Sequence, residues 1–91
     1  MRFKWDPKKE QANIKKHGVS FEEAREALTC GLVVALRDDD RHDEQRFVFM
    51  GMCKRLNVLV VVAAYPEEDV TRIISARRAT KRERKFYEAQ L

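Results

Sequence analysis

Hydrophobic positions recur along this chain with two different periods, and the change from one to the other falls near Gly31. The opening residues Arg2 to Trp5 alternate charged and aromatic side chains, which predicts a short edge strand with Phe3 and Trp5 on one face. Asp6 is placed to cap a helix whose first position is Pro7, where a missing N–H costs nothing. That helix is expected to run to His17, with Gly18 as its left-handed stop. Ser20 and Glu23 form a capping box before FEEAREAL, in which Phe21, Ala24, Ala27 and Leu28 return at helical spacing and face inward, and Gly31 ends the helix. From Leu32 the period becomes two, predicting strands over Leu32 to Leu36, Arg46 to Met50, Leu56 to Tyr65 and Val70 to Ala76. The third of these is apolar on both faces and is therefore expected at the centre of the sheet. Three connections are short enough for hairpins: Arg37 to Gln45, Gly51 to Arg55, and Pro66 to Asp69. Thr80 and Glu83 make a third capping box and announce a last helix. The order β-α-α-β-β-β-β-α, with helices before an antiparallel meander and one after it, predicts an α+β fold and a single domain over residues 1–91.

Composition sharpens this picture at three points. With 44% hydrophobic and 37% charged residues in 91, the chain can fill one modest core inside a heavily charged shell. Cys30 and Cys53 form no C-x-x-C pair and lie in apolar or strand-like surroundings, which predicts two buried free thiols and a cytoplasmic protein rather than a disulfide or zinc framework. The start MRFKWDPKKE lacks the apolar stretch of a secretory leader, and the longest apolar run, Val58 to Tyr65, falls well short of the roughly 20 residues that cross a bilayer. Charge is the third point. The window Arg77 to Lys85 holds six basic residues and Glu83, a formal +5, against +4 for the whole chain, so the other 82 residues stand at −1. The basic character belongs to one element, a strand end running into a helix.

A focused cationic segment suits a phosphate-bearing partner or an acidic protein. Arg72, Arg77, Arg78, Lys81, Arg82 and Arg84 are candidates to grip phosphates, since guanidinium forks match phosphate oxygens and stay charged. The plain alternative is a solvated helix end, against which stands the placement of Lys and Arg in a first helical turn, where they oppose the macrodipole. Arg46 and Arg72 lie on predicted strands and either extend the same positive concavity or pair with a cross-strand Asp or Glu. His17 falls in a last helical turn, where an imidazolium favours the dipole and a structural role suffices; histidine is also the side chain a metal-free nuclease would recruit as acid or base, which makes His17 a candidate. His42 lies within RDDDRHDEQR, whose carboxylates read as a solvated turn; the alternating carboxylates and glycine of a calcium loop are missing. Of Phe86 and Tyr87, Phe86 is assigned to the core, leaving Tyr87 open to a functional role.

Taken together, FKWDPKKEQANIKKHGVSFEEA, QRFVFMG and RIISARRATKRERKFYE resemble, over nearly the whole chain, the BrnT toxin family of bacterial type II toxin–antitoxin modules. That family is similar in fold to RelE, a compact ribonuclease with an antiparallel sheet flanked by helices. The resemblance implies an endoribonuclease that inhibits translation, cuts RNA without metal or cofactor, and is neutralised by a BrnA-type antitoxin. Operator DNA would be touched only through that antitoxin, and a higher-order toxin–antitoxin complex is expected. Carried onto this chain, it implies that Arg77, Arg78 and Arg72 act at the scissile phosphate and that His17, Glu83 or Tyr87 move protons. Arg46, Lys81, Arg82 and Arg84 would hold the RNA. The residues themselves also fit a non-catalytic nucleic-acid-binding module and a protein-docking surface built on the same basic helix.

Overall fold

A computed structural model of the protein describes residues 2–39 and 44–91, the side chains of Asp38 and Asp39 excepted. Its elements follow the expected order: β1 (Arg2–Lys4), α1 (Pro7–His17), α2 (Phe21–Thr29), β2 (Val33–Asp39), β3 (Arg46–Met52), β4 (Val58–Glu67), β5 (Val70–Arg78) and α3 (Lys81–Glu88). The helix ends are fixed by the signals that predicted them. Asp6 accepts a hydrogen bond from the Lys8 N–H at 2.9 Å, and Gly18, at φ 71°, returns its own N–H to the Ile14 carbonyl at 2.7 Å. Ser20 with Glu23, and Thr80 with Glu83, close reciprocal capping boxes.

The strands form one five-stranded sheet in the order β1-β5-β4-β3-β2. Neighbours are antiparallel except β1, which pairs in parallel with β5 from the opposite end of the sequence. β4 lies at the centre, as its two apolar faces require, and helices cover both sides of it. Leu59 and Val61 enter a core with Val19, Phe21, Ala24, Ala27, Ile73 and Ala76, beneath α1 and α2. Val58 and Val60 enter a second core with Val48, Met50 and Tyr87 of α3. Each such buried aliphatic side chain contributes about 1.5–3 kcal/mol of hydrophobic free energy. Gly51 lets α2 lie close against β3, because a Cβ there would overlap the backbone of Ala27.

β1 spans only three residues, so beyond Arg72 the outer edge of β5 has no strand beside it. Asn13 of α1 takes that place. Its buried amide accepts from the Ala76 N–H at 3.2 Å and donates to the carbonyls of Ala76 and Val19 at 2.8 and 2.9 Å. Backbone groups that would otherwise be buried unpaired, at about 1–3 kcal/mol each, are thereby satisfied.

Three expectations are corrected. Tyr87, not Phe86, is the core aromatic of α3: it is 2% exposed with its hydroxyl donating to the Leu32 carbonyl at 2.8 Å, while Phe86 is 50% exposed. The phase of α3 is set by where it lands on the sheet, which helical periodicity over eight residues does not determine. Cys53 is buried but Cys30 is exposed, because Cys30 forms the C-cap of α2 and the chain turns away at Gly31, φ 75°. The sheet is not wholly antiparallel, since the N-terminal strand joins it from the far end of the sequence. The turn assigned to residues 40–43 lies outside the described residues.

Candidate nucleic-acid interface

Side chains alternate across a strand, so the register assigns each arginine to a face. Arg77 stands opposite Val60, Arg72 opposite Ala64, and Arg37 opposite Val48, and Arg46 lies two residues before Val48. All four leave the sheet on the α3 side. Lys4 is in register with Arg72, and Arg2 shares its face, so cations rise from β1, β5, β3 and β2 around the valines of β4. α3 covers one end of this face through Tyr87, which leaves a shallow cationic surface over the remainder. Leu36, Arg37, Met50, Arg82, Glu83 and Phe86 line a groove where α3 meets the sheet.

Arg77 is the most firmly held of these groups. Its Nη1 and Nη2 donate to the two carboxylate oxygens of Glu83 at 2.8 and 2.9 Å, a bidentate pair. The same Glu83 accepts from the Thr80 N–H at 2.8 Å as part of the capping box. One carboxylate therefore ties the start of α3 to the end of β5. The Arg77 hydrogen bonds outweigh desolvation and hold the Glu83 carboxyl down at about 2, and the Arg77 guanidinium is pushed further up by the same contact. The Thr80 N–H at the start of α3 is thus occupied by Glu83 and is not open to a bound anion.

The remaining predicted residues divide. Arg72 forms an ion pair with Glu44, which lies in the connection before β3 rather than on a neighbouring strand, and keeps its place on the cationic face. Arg46 has its Nε buried with no hydrogen-bond partner, on that same face. Lys81, Arg82 and Arg84 are exposed on α3, and Arg84 lies 3.8 Å from Glu88. Arg78 stands opposite Leu59 and so leaves β5 on the side away from Arg77; it lines a notch with Leu56, Asn57 and Arg84. His17 closes α1, whose Asn13 is fastened to Val19 and Ala76 of the other core. The Tyr87 hydroxyl is engaged by Leu32. His42 lies outside the described residues.

Arg2, Lys4 and Arg37 were missed by the sequence reading. Arg37 follows a bulge between Ala35 and Arg37, so counting by twos from Val33 misplaces it. Arg2 and Lys4 become relevant only through the parallel pairing with β5. Among the described residues no three His, Cys, Asp or Glu side chains gather as metal ligands, and no helix is long and apolar enough to cross a membrane.

The crystal structure of the Brucella abortus ribonuclease toxin BrnT is similar to this fold, with a TM-score of 0.65 and 25% sequence identity, covering 89% of this chain and 99% of that one. No curated protein sequence matches significantly. A family model described as ribonuclease toxin, BrnT, of type II toxin-antitoxin system, matches residues 5–83. With that model spanning most of its length, the chain belongs to the BrnT family of type II toxin–antitoxin ribonuclease toxins.

Proposed function

We propose that the chain is an endoribonuclease whose α3-side sheet face binds single-stranded RNA, and that a BrnA-type antitoxin neutralises it and carries any contact with operator DNA. The observation that carries this reading is the convergence of Arg37, Arg46, Arg72 and Arg77 on one open face, with Arg77 locked by Glu83. RNA brings its own nucleophile, the 2′-hydroxyl, so the reaction needs no cofactor: the hydroxyl oxygen bonds to the adjacent phosphorus, the 5′-oxygen leaves and takes a proton, and a 2′,3′-cyclic phosphate remains. Arg77, Arg72 and Arg46 stabilise the charge that builds on the phosphoryl oxygens. Lys81, Arg82 and Arg84 of α3 hold flanking phosphates, and Arg78 joins them through the notch it shares with Arg84.

Of the three groups considered for proton transfer, Glu83 is a poor base at about 2 and has both oxygens engaged by Arg77, the Tyr87 hydroxyl donates its hydrogen bond to the Leu32 carbonyl, and His17 closes α1, whose Asn13 is fastened to Val19 and to Ala76 at the edge of β5. Glu83 is accordingly a positioning residue for Arg77, and solvent removes the 2′-hydroxyl proton. The same observation favours, as the second reading, a module that binds RNA without cutting it.

The test is incubation of the purified, antitoxin-free protein with end-labelled single-stranded RNA in EDTA, beside Arg77→Ala and Arg46→Ala. Wild type is expected to leave 2′,3′-cyclic ends, with Arg77→Ala slower by about 10²-fold, the scale of removing one preorganised donor. A folded Arg77→Ala protein cleaving at the wild-type rate refutes the assignment, and tight binding by wild type without product selects the binding module.

A further inference from the structure

On the α1/α2 side, the helices cover only part of the sheet. The uncovered part is a groove that crosses all five strands, lined by Phe3 of β1, Thr71 of β5, Tyr65 of β4, Phe49 of β3 and Val33 of β2, with Leu28 of α2 along one bank. Phe47 extends it: its ring lies 5.2 Å from that of Tyr65 and stacks on Phe49 at 6.4 Å. Tyr65 is 46% exposed. Thr71 is buried, and its Oγ1 has no hydrogen-bond partner. No lining residue is charged. A cluster in which the half-buried rings of Phe3, Phe47 and Phe49 gather around an exposed Tyr65 with no charge among them marks an interaction site rather than ordinary surface. The β4–β5 turn beside it presents exposed Glu67, Glu68 and Asp69.

We propose that this groove is the docking site for an amphipathic helix of the protein partner, with an apolar face against the aromatics and Lys or Arg on the flank that meets Glu67, Glu68 and Asp69. Five strands about 4.8 Å apart give a groove about 19 Å across the sheet, which about 13 helical residues span. Such a helix would lie beside α2 as a further member of its layer, and its apolar anchors would fill the groove as in other helix-in-groove contacts. RNA is the wrong occupant: every nucleotide brings a phosphate, the lining offers it no cation, and the neighbouring turn is acidic. The identification of the partner as the antitoxin rests on the toxin–antitoxin reading. The groove lies on the face away from Arg37, Arg46, Arg72 and Arg77, so the antitoxin anchors here and reaches the RNA face with another segment.

The probe is the cognate antitoxin, titrated against the full chain by calorimetry at low and high salt. Tyr65→Lys should weaken binding about 30-fold, as loss of an aromatic anchor with added repulsion. The exposed pair Glu67→Lys/Glu68→Lys should weaken it about tenfold at low salt and less at high salt. Cleavage of RNA by antitoxin-free Tyr65→Lys should equal that of wild type, since Tyr65 lies on the side of the sheet away from Arg37, Arg46, Arg72 and Arg77. Unchanged affinity in both variants, or no antitoxin binding by wild type, overturns the proposal. So does a wild-type dimer in sedimentation equilibrium that Tyr65→Lys dissociates, which gives the groove to a second copy, or RNA affinity that falls with Phe49→Leu, which gives it to RNA. Failure of wild type to cut RNA while the antitoxin affinities shift as described removes the catalytic reading and leaves the docking site standing.

Discussion

Replacing Glu83 with glutamine removes one charge and keeps one acceptor, which separates the two tasks this side chain performs. Glutamine still serves a capping box, so the start of α3 should persist. What is lost is the charge-assisted pair with Arg77 at 2.8 and 2.9 Å. A carboxyl held at about 2 against an ordinary 4.5 corresponds to at most about 3 kcal/mol in favour of its ionised form. Water reaches 36% of the Arg77 side chain and 23% of that of Glu83, and screening reduces the useful part to about 1–2 kcal/mol. Because the folded value is lowered, this stability is present above about 4.5 and is lost as pH falls towards 2. Urea denaturation of wild type and Glu83→Gln across that interval is the assay. The variant should be less stable by about 1–2 kcal/mol at pH 7, with the gap closing as the medium is acidified. A gap that stays constant down to pH 2, or none at pH 7, refutes the claim that the ionised carboxylate supports this end of the fold. In the RNA assay the freed Arg77 should lower kcat about tenfold with KM little changed, since phosphate attraction survives and orientation does not.

Asn13→Ala should destabilise the protein by about 2–3 kcal/mol in the same denaturation assay, because it leaves the Ala76 backbone and the Val19 carbonyl unpaired in a buried site. Leu56→Gly should raise stability by about 0.5–1 kcal/mol, as Leu56 holds φ 63° at the β3–β4 turn with its side chain 77% exposed; a lower melting temperature would show that Leu56 makes a contact worth more than its strain. The rate of RNA cleavage should rise about tenfold per pH unit from pH 6 to 8, as solvent-derived hydroxide takes the proton; a plateau near neutral pH abolished by His17→Ala would instead make His17 the base.

What the sequence disclosed, and what it did not, follows from how far apart the interacting residues lie. Asp6 with Pro7, Ser20 with Glu23, and Thr80 with Glu83 act within one helical turn, so each start is written locally. The apolar run of β4 disclosed its central place by the same kind of local evidence. The parallel match of β1 to β5 joins residues 2–4 to residues 70–72, and no local pattern encodes it. At the candidate interface the charge was visible but its division was not. Arg77 and Arg78 adjoin in sequence, and ending the strand at Ala76 hid that they belong to a strand and so leave on opposite faces; β5 in fact runs through Arg78. The Arg77 contact with Glu83 depends on the angle between β5 and α3, which the intervening Ala79 and Thr80 do not reveal.

The parallel seam between β1 and β5 also constrains how this molecule comes into being. Synthesis proceeds from the N-terminus, yet the strand that β1 requires arrives in the last quarter of the chain, together with Arg72, Arg77 and the Glu83 that orients Arg77. A nascent chain that stops short of β5 has an unmated first strand, an Asn13 with no Ala76 to hold, and half of its arginines missing. Long-range closure of this kind is slow to form and all-or-none in effect. For a member of a toxin family, an interrupted translation product is therefore a chain without its closing strand or the cationic segment that follows it.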